Sequence, residues 1–204
     1  MRFFVLSCAL LATGAQAAET FEWVRARSRS GSSAAAWDFH RGRLVVWLGP
    51  ANLGGGNTGP QTWEYDGARW ELRAVGSGPI ARGGQAMTYD HARRRTVLFG
   101  GSTASSLLSD TWEWDGVRWT QRLAGAPPQR QNAALGYDTD RRTLVLYGGN
   151  TFTSLVWNDT WELGAADDAG WTAVGDGGPG PRGYARLAYD PARGESPADY
   201  TPQR

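Results

Sequence analysis

Lysine is absent from this 204-residue chain, and cysteine occurs once, as Cys8. Arginine therefore carries every formal positive charge, 21 against 20 acidic residues, for a net charge of +1. A near-neutral chain lacks the basic footprint that displaces counterions from phosphates, so nucleic-acid binding is excluded as its general role. A lone cysteine excludes a disulfide framework and a thiolate metal site. Charged residues are 20% and apolar ones 41%, which fits neither a disordered polyampholyte nor a membrane protein. Only two histidines occur, His40 and His91, at non-equivalent places in polar turns, and they do not make a metal site. The chain has no G-x-S-x-G and no C-x-x-C, and the run of Gly at 54–56 lacks the following Lys of a phosphate-binding loop.

Glycine and tryptophan are abundant, at 28 and 11 residues. Glycine weakens helices and large aromatics favour pleated surfaces, so the composition points to strands. Residues 1–17, MRFFVLSCALLATGAQA, place Arg2 before an apolar run and end on Ala15-Gln16-Ala17. That order is the pattern of a secretory signal peptide, and it predicts an exported protein, periplasmic or extracellular. The apolar run is too short to span a bilayer, and no later segment approaches the required length, so no membrane span is expected. Cys8 lies inside the leader, so the mature protein is expected to contain no thiol.

Self-comparison organises the rest. An aromatic followed by Asp recurs at Trp37-Asp38, Tyr89-Asp90, Tyr137-Asp138 and Tyr189-Asp190. Gly49-Pro50, Gly100-Gly101 and Gly148-Gly149 follow the first three. Next come Thr62-Trp63-Glu64, Thr111-Trp112-Glu113 and Thr160-Trp161-Glu162, each 49 residues apart. A second Trp stands at 70, 119 and 171, and Arg82, Arg130 and Arg182 each precede the next aromatic by seven residues. Each unit reads as four short strands, a to d, joined by turns. In the second unit these are 85–89, 96–100, 111–114 and 118–122. Asp66-Gly67 and Asp115-Gly116 suit tight c–d hairpins that need φ > 0. The b–c loops, 50–61, 102–109 and 150–158, are longer and dissimilar.

The period, the Gly pair closing the second strand and the two Trp of the outer strands resemble the kelch repeat. The resemblance covers about residues 21–194. It implies an all-β, kelch-like β-propeller, with strand a of each blade at the axis and strand d outermost. Blades are expected at about 32–75, 83–124 and 131–175, with a partial one at 183–194 and an irregular tail at 195–204. Glu22-Trp23-Val24-Arg25 matches strand d, and 185–189 matches strand a. The expected architecture is thus three complete four-stranded blades, a lone N-terminal outer strand and a lone C-terminal inner strand, an incomplete ring. The final ESPADYTPQR, with two prolines and no aliphatic residue beyond Ala, does not make a strand b, so the chain reads as truncated. The copper oxidases built on kelch-like propellers need a Cys-linked Tyr, which a mature chain without Cys cannot supply.

The recurrent Trp residues are expected to be packing and the Gly pairs to be close-approach points between blades. Glu64, Glu113 and Glu162, with Arg82, Arg130 and Arg182, have two readings. The favoured one is structural, the Glu pairing with Arg or with turn amides. The other is a ring of Arg forks open to anions at the channel mouth. Phe152 and Trp157 lack a repeat explanation. Trp157 is either a stacking platform for a sugar or partner side chain, or a ring folded back over its blade. The candidate ligand-binding set is Arg82, Arg130, Arg182, Phe152, Trp157 and Asn57, on the end that carries the b–c loops and d–a connections. No enzyme signature, catalytic residue, metal or cofactor is expected. The expected role is a secreted binding module for a protein or glycan. The alternatives are a noncatalytic remnant of a larger extracellular propeller enzyme and a truncated product without function of its own.

Overall fold

The computed structural model describes residues 33–49, 51–52, 57–123, 125–166, 170–175 and 178–189. The leader at 1–17, the outer strand expected at 22–25 and the tail at 195–204 lie outside them. Fourteen strands and no helix occur among the described residues, and none of their segments is a helix long and apolar enough to cross a membrane.

The first sheet holds β1 (Ser33–Asp38), β2 (Arg43–Leu48), β5 (Gln61–Tyr65) and β6 (Trp70–Val75) in that spatial order. A two-residue hairpin, β3 (Ala51–Asn52) with β4 (Asn57–Thr58), interrupts its b–c loop. The second sheet runs β7 (Ala86–Asp90), β8 (Arg95–Ser102), β9 (Leu107–Trp114) and β10 (Trp119–Arg122). The third runs β11 (Ala134–Asp138), β12 (Thr143–Tyr147), β13 (Thr160–Leu163) and β14 (Trp171–Gly175). All three are antiparallel meanders. β1 packs beside β7 and β7 beside β11, so the first strands of the three units lie together. This arrangement is compatible with a propeller-like fold.

Alternation along β8 explains how the sheets stack. Leu98 turns to the first sheet and joins Val45, Trp47, Trp114 and Trp119 in one core. Val97 and Phe99 turn the other way and join Leu135, Leu144, Leu146, Leu163 and Trp171 in a second. The outer-strand Trp of the second and third units also reach back one unit. The Trp119 indole Nε1 donates to Thr62 Oγ1 at 2.8 Å, and Trp171 Nε1 donates to Thr111 Oγ1 at 2.9 Å. The recurrence of Thr-Trp in strand c and of Trp in strand d is therefore a lock between neighbours. Replacing Thr62 with Val orphans a buried N–H and is expected to cost about 1–3 kcal/mol. Thr160→Val, whose hydroxyl has no such donor among the described residues, is expected to change little. Urea unfolding of the two variants checks the difference.

The Gly pairs act as expected at close approaches. A Cβ built at Gly100 would stand 2.7 Å from the Arg130 carbonyl oxygen, and one at Gly101 2.7 Å from that of Gly83. Both residues have positive φ, at 60° and 96°. Their backbone carries the inter-unit contact: Gly101 N–H donates to the Arg130 carbonyl at 2.9 Å.

One expected strand is absent. Residues 185–189 form no strand, although Leu187 lies against Gly136 of β11. Strands β1, β7 and β11 each draw their ladder from the following strand b. Among the described residues nothing stands in that place for 185–189, and an extended segment without a partner makes no ladder.

Candidate functional site

Two sets of ion pairs recur through the molecule. The first belongs to the Arg residues that precede each unit. Arg82 is 3% exposed and grips both carboxylate oxygens of Asp110, its Nη2 at 2.7 Å, while its Nη1 also donates to the Gly100 carbonyl at 3.0 Å. Arg130, fully buried, does the same with Asp159 and the Gly148 carbonyl. Each Asp takes a further bond from the indole two residues on, Trp112 at 2.6 Å and Trp161 at 2.7 Å. These guanidiniums are closed by the fold and are not open forks.

Asp110 and Asp159 were not singled out from the sequence. A signal was there. Asp precedes Thr-Trp in the second and third units, each of which has the Arg; the first unit has Gln61 in that place and Ser30 where the Arg would stand. Gln61 accepts from Trp63 Nε1 at 2.8 Å and so takes the place of the Asp toward the indole.

The second set serves the strand-c Glu, whose partner comes from the a–b turn. Asp38, Asp90 and Asp138 end strand a, and each accepts the backbone N–H of an Arg three residues on, at 3.0, 2.9 and 2.9 Å. The same carboxylates hold the side chains of Arg41, Arg93 and Arg141, which face Glu64, Glu113 and Glu162. The structural reading of Glu is thus the observed one, with Arg41, Arg93 and Arg141 as partners in place of Arg82, Arg130 and Arg182.

Burial raises the carboxyl of Asp38, Asp138 and Asp159, but hydrogen bonds from Arg41, Arg141 and Arg130 respectively outweigh it, and all three end below the ordinary value of 3.8. The unfolded chain then binds more protons than the native one as pH falls through that region. Stability from these pairs is fully present above about pH 4 and is lost progressively below it. A falling unfolding midpoint between pH 5 and 2, flattened in Asp159→Asn, is the expected calorimetric result.

The remaining candidates sit at the loop end of the third sheet. Trp157 is half-buried and folds back, with the Arg130 guanidinium 4.7 Å from its ring centroid. Its backbone N–H donates to the Gly149 carbonyl, and its carbonyl accepts from Arg182 N–H at 3.2 Å. Arg182 repeats the backbone placement of Arg130, since its carbonyl accepts from Gly149 N–H at 2.8 Å. Its guanidinium is exposed, donates to the Pro179 carbonyl, and has no ion pair among the described residues. Phe152, Leu155 and Tyr184 are 54%, 49% and 72% exposed around this segment. Asn57 begins β4 of the small β3–β4 hairpin in the first unit, away from this group in sequence.

At the other end, His91 stands in its turn with Phe39 and Tyr137 at ring distances of 4.6 and 5.0 Å, and burial pushes its pKa down. No group of three potential metal ligands occurs among the described residues. The chain matches no protein-family model and no curated protein.

Proposed function

We propose that the chain is an exported, kelch-like propeller module that binds a protein or glycan through the b–c loop end of its third unit. The observation that carries this reading is that exposed Phe152, Leu155 and Tyr184 lie on the segments next to Trp157 and Arg182, whose backbones are hydrogen-bonded, and that the exposed Arg182 guanidinium has no ion pair among the described residues. Exposed aromatics beside an Arg are the composition of binding hot spots, and recognition residues concentrate on variable loops held by a rigid scaffold. Trp157 supports the patch from beneath rather than forming its open face. Arg82 and Arg130 shape the scaffold, which leaves Arg182 as the polar contact of the three.

An immobilised glycan panel and a panel of purified exported proteins provide the test. Phe152→Ala and Trp157→Ala are each expected to weaken the captured interaction by about 1–2 kcal/mol, roughly tenfold. Arg94→Ala, in an exposed a–b turn at the opposite end, is expected to leave it unchanged. Loss of binding in Arg94→Ala with retention in Phe152→Ala and Trp157→Ala moves the site to the turn end and overturns the reading.

A further inference from the structure

The segment that follows the third sheet keeps to the repeat without completing a strand. Tyr184 N–H donates to the Asn132 carbonyl at 2.9 Å, as Asn132 N–H does to that of Gly84 at 2.6 Å. The N–H and carbonyl of Arg182 meet Trp157 and Gly149 as those of Arg130 meet Leu108 and Gly101. Tyr189 faces Asp140 as Tyr89 faces Asp38. Between these points Ala185, Leu187 and Tyr189 are half-buried while Arg186 and Ala188 are exposed, the alternation of an extended chain. Residues 185–189 thus hold the place that the repeat gives to strand a, with no ladder on them among the described residues. An edge of unpaired N–H and C=O groups is a template for another strand.

Two side chains lack what a following unit supplies elsewhere. Arg82 and Arg130 each grip the Asp that opens the next strand c, Asp110 and Asp159. Arg182 is exposed, donates only to the Pro179 carbonyl, and has no ion pair among the described residues. Glu64 accepts the Trp114 indole of the next sheet at 2.9 Å, while Glu162 accepts only from Arg141 among the described residues. In the second unit one hairpin meets all three needs. Its β8 forms the ladder on β7, its Asp110 takes Arg82, and its Trp114 reaches Glu64 of the sheet before. Residues 95–114 of that hairpin run RTVLFGGSTASSLLSDTWEW. The unmet edge, cation and carboxylate therefore describe one occupant, an antiparallel hairpin whose second strand carries Asp and, four residues later, Trp. The hairpins of a second copy are spent in its own sheets, so the occupant is a different polypeptide.

We infer that residues 182–189 and Glu162 form a docking edge for a β-hairpin of a partner polypeptide, its first strand laid on 185–189, its Asp gripped by Arg182 and its Trp donating to Glu162. This deepens the loop-end reading, on which it rests for the role of Arg182, by naming the form of the partner. A fluorescein-labelled peptide of residues 95–114 probes the edge by anisotropy against the purified chain, with a scrambled peptide of the same composition as control. The ordered peptide is expected to bind at least about tenfold more tightly than the scrambled one. Arg182→Gln in the protein and Asp110→Asn in the peptide are each expected to weaken binding about tenfold or more, and the two together no more than either alone. Arg182 is exposed, so its replacement keeps the fold. Trp114→Phe in the peptide is expected to weaken binding about threefold or more to the native chain and not at all to Glu162→Ala. Amides of 185–189 are expected to exchange at least about tenfold more slowly in the complex. Phe152→Ala is expected to leave the hairpin bound, so failure of the hairpin while a loop-end ligand is still captured overturns this inference and not that reading. A chain that is dimeric alone and becomes monomeric with the peptide assigns the edge to a second copy and overturns the separate partner. Equal binding of the ordered and scrambled peptides, binding indifferent to Arg182→Gln, or unprotected amides at 185–189 overturns the inference.

Discussion

Replacing Arg130 with alanine is expected to destabilise the protein by about 3 kcal/mol, because among the described residues it leaves the Asp159 carboxylate with only the Trp161 indole as a side-chain partner. Arg130 is fully buried, and its two terminal nitrogens are spent on Asp159 and the Gly148 carbonyl. Breaking a buried pair from one side typically costs about 3–5 kcal/mol. The low end applies here because the Asp159 side chain keeps 21% of its surface in water. The double variant Arg130→Leu/Asp159→Leu removes both charges together and is expected to recover much of the loss, since apolar replacements of buried pairs are often neutral. Arg182→Ala removes the third member of the same series from an exposed position and is expected to stay within about 0.5 kcal/mol. Denaturant unfolding of the four proteins measures all of this. A single Arg130→Ala loss below about 1 kcal/mol, or a double variant no better than the single, would show that the pair does not hold the unit together.

The series also shows what the sequence could and could not say. Strand order, hairpin turns and the close approaches at Gly100-Gly101 were legible because each depends on local chemistry repeated in register. The Asp-Gly turns at 66–67 and 115–116 do adopt positive φ at Gly67 and Gly116, with Asp66 and Asp115 accepting the following amides. The partners of the recurrent Arg were not legible by proximity in the chain. Arg82 reaches Asp110 across 28 residues and Arg130 reaches Asp159 across 29. Only the joint change in the first unit, where Gln61 replaces Asp and Ser30 replaces Arg, encodes the pairing. The difference between Glu64, which takes the Trp114 indole, and Glu113 was hidden for a different reason. It arises from one exchange within the repeat, Leu163 where the second unit has Trp114, and its effect falls on the preceding sheet rather than on its own. Strand 185–189 failed as a reading because repeat similarity marks a segment's place, while a ladder requires a neighbour.

Glu64, Glu113 and Glu162 occupy one repeat position, yet their removal is expected to cost very different amounts. Glu64 is 2% exposed and accepts Arg41 at 3.0 and 2.7 Å and Trp114 Nε1 at 2.9 Å, with Arg73 Nε at 3.7 Å. Glu64→Ala strands the Arg41 guanidinium and a fully buried indole N–H, and is expected to cost about 3–5 kcal/mol. Glu162 faces Arg141, whose side chain is 51% exposed, and its own is 24% exposed. Water replaces the lost partner there, so Glu162→Ala is expected to cost about 0–1 kcal/mol. The cause is the neighbour: β9 of the second sheet brings Trp114 over Glu64, while nothing among the described residues covers Glu162 in that way. Tryptophan at position 163 would supply the same indole to Glu113, at the risk of overpacking a site where Leu163 is already fully buried. Thermal unfolding of Glu64→Ala and Glu162→Ala decides the point. Equal losses at the two positions would mean that the strand-c Glu acts within its own sheet. The expected gap of at least about 2 kcal/mol makes it a clasp between one sheet and the next.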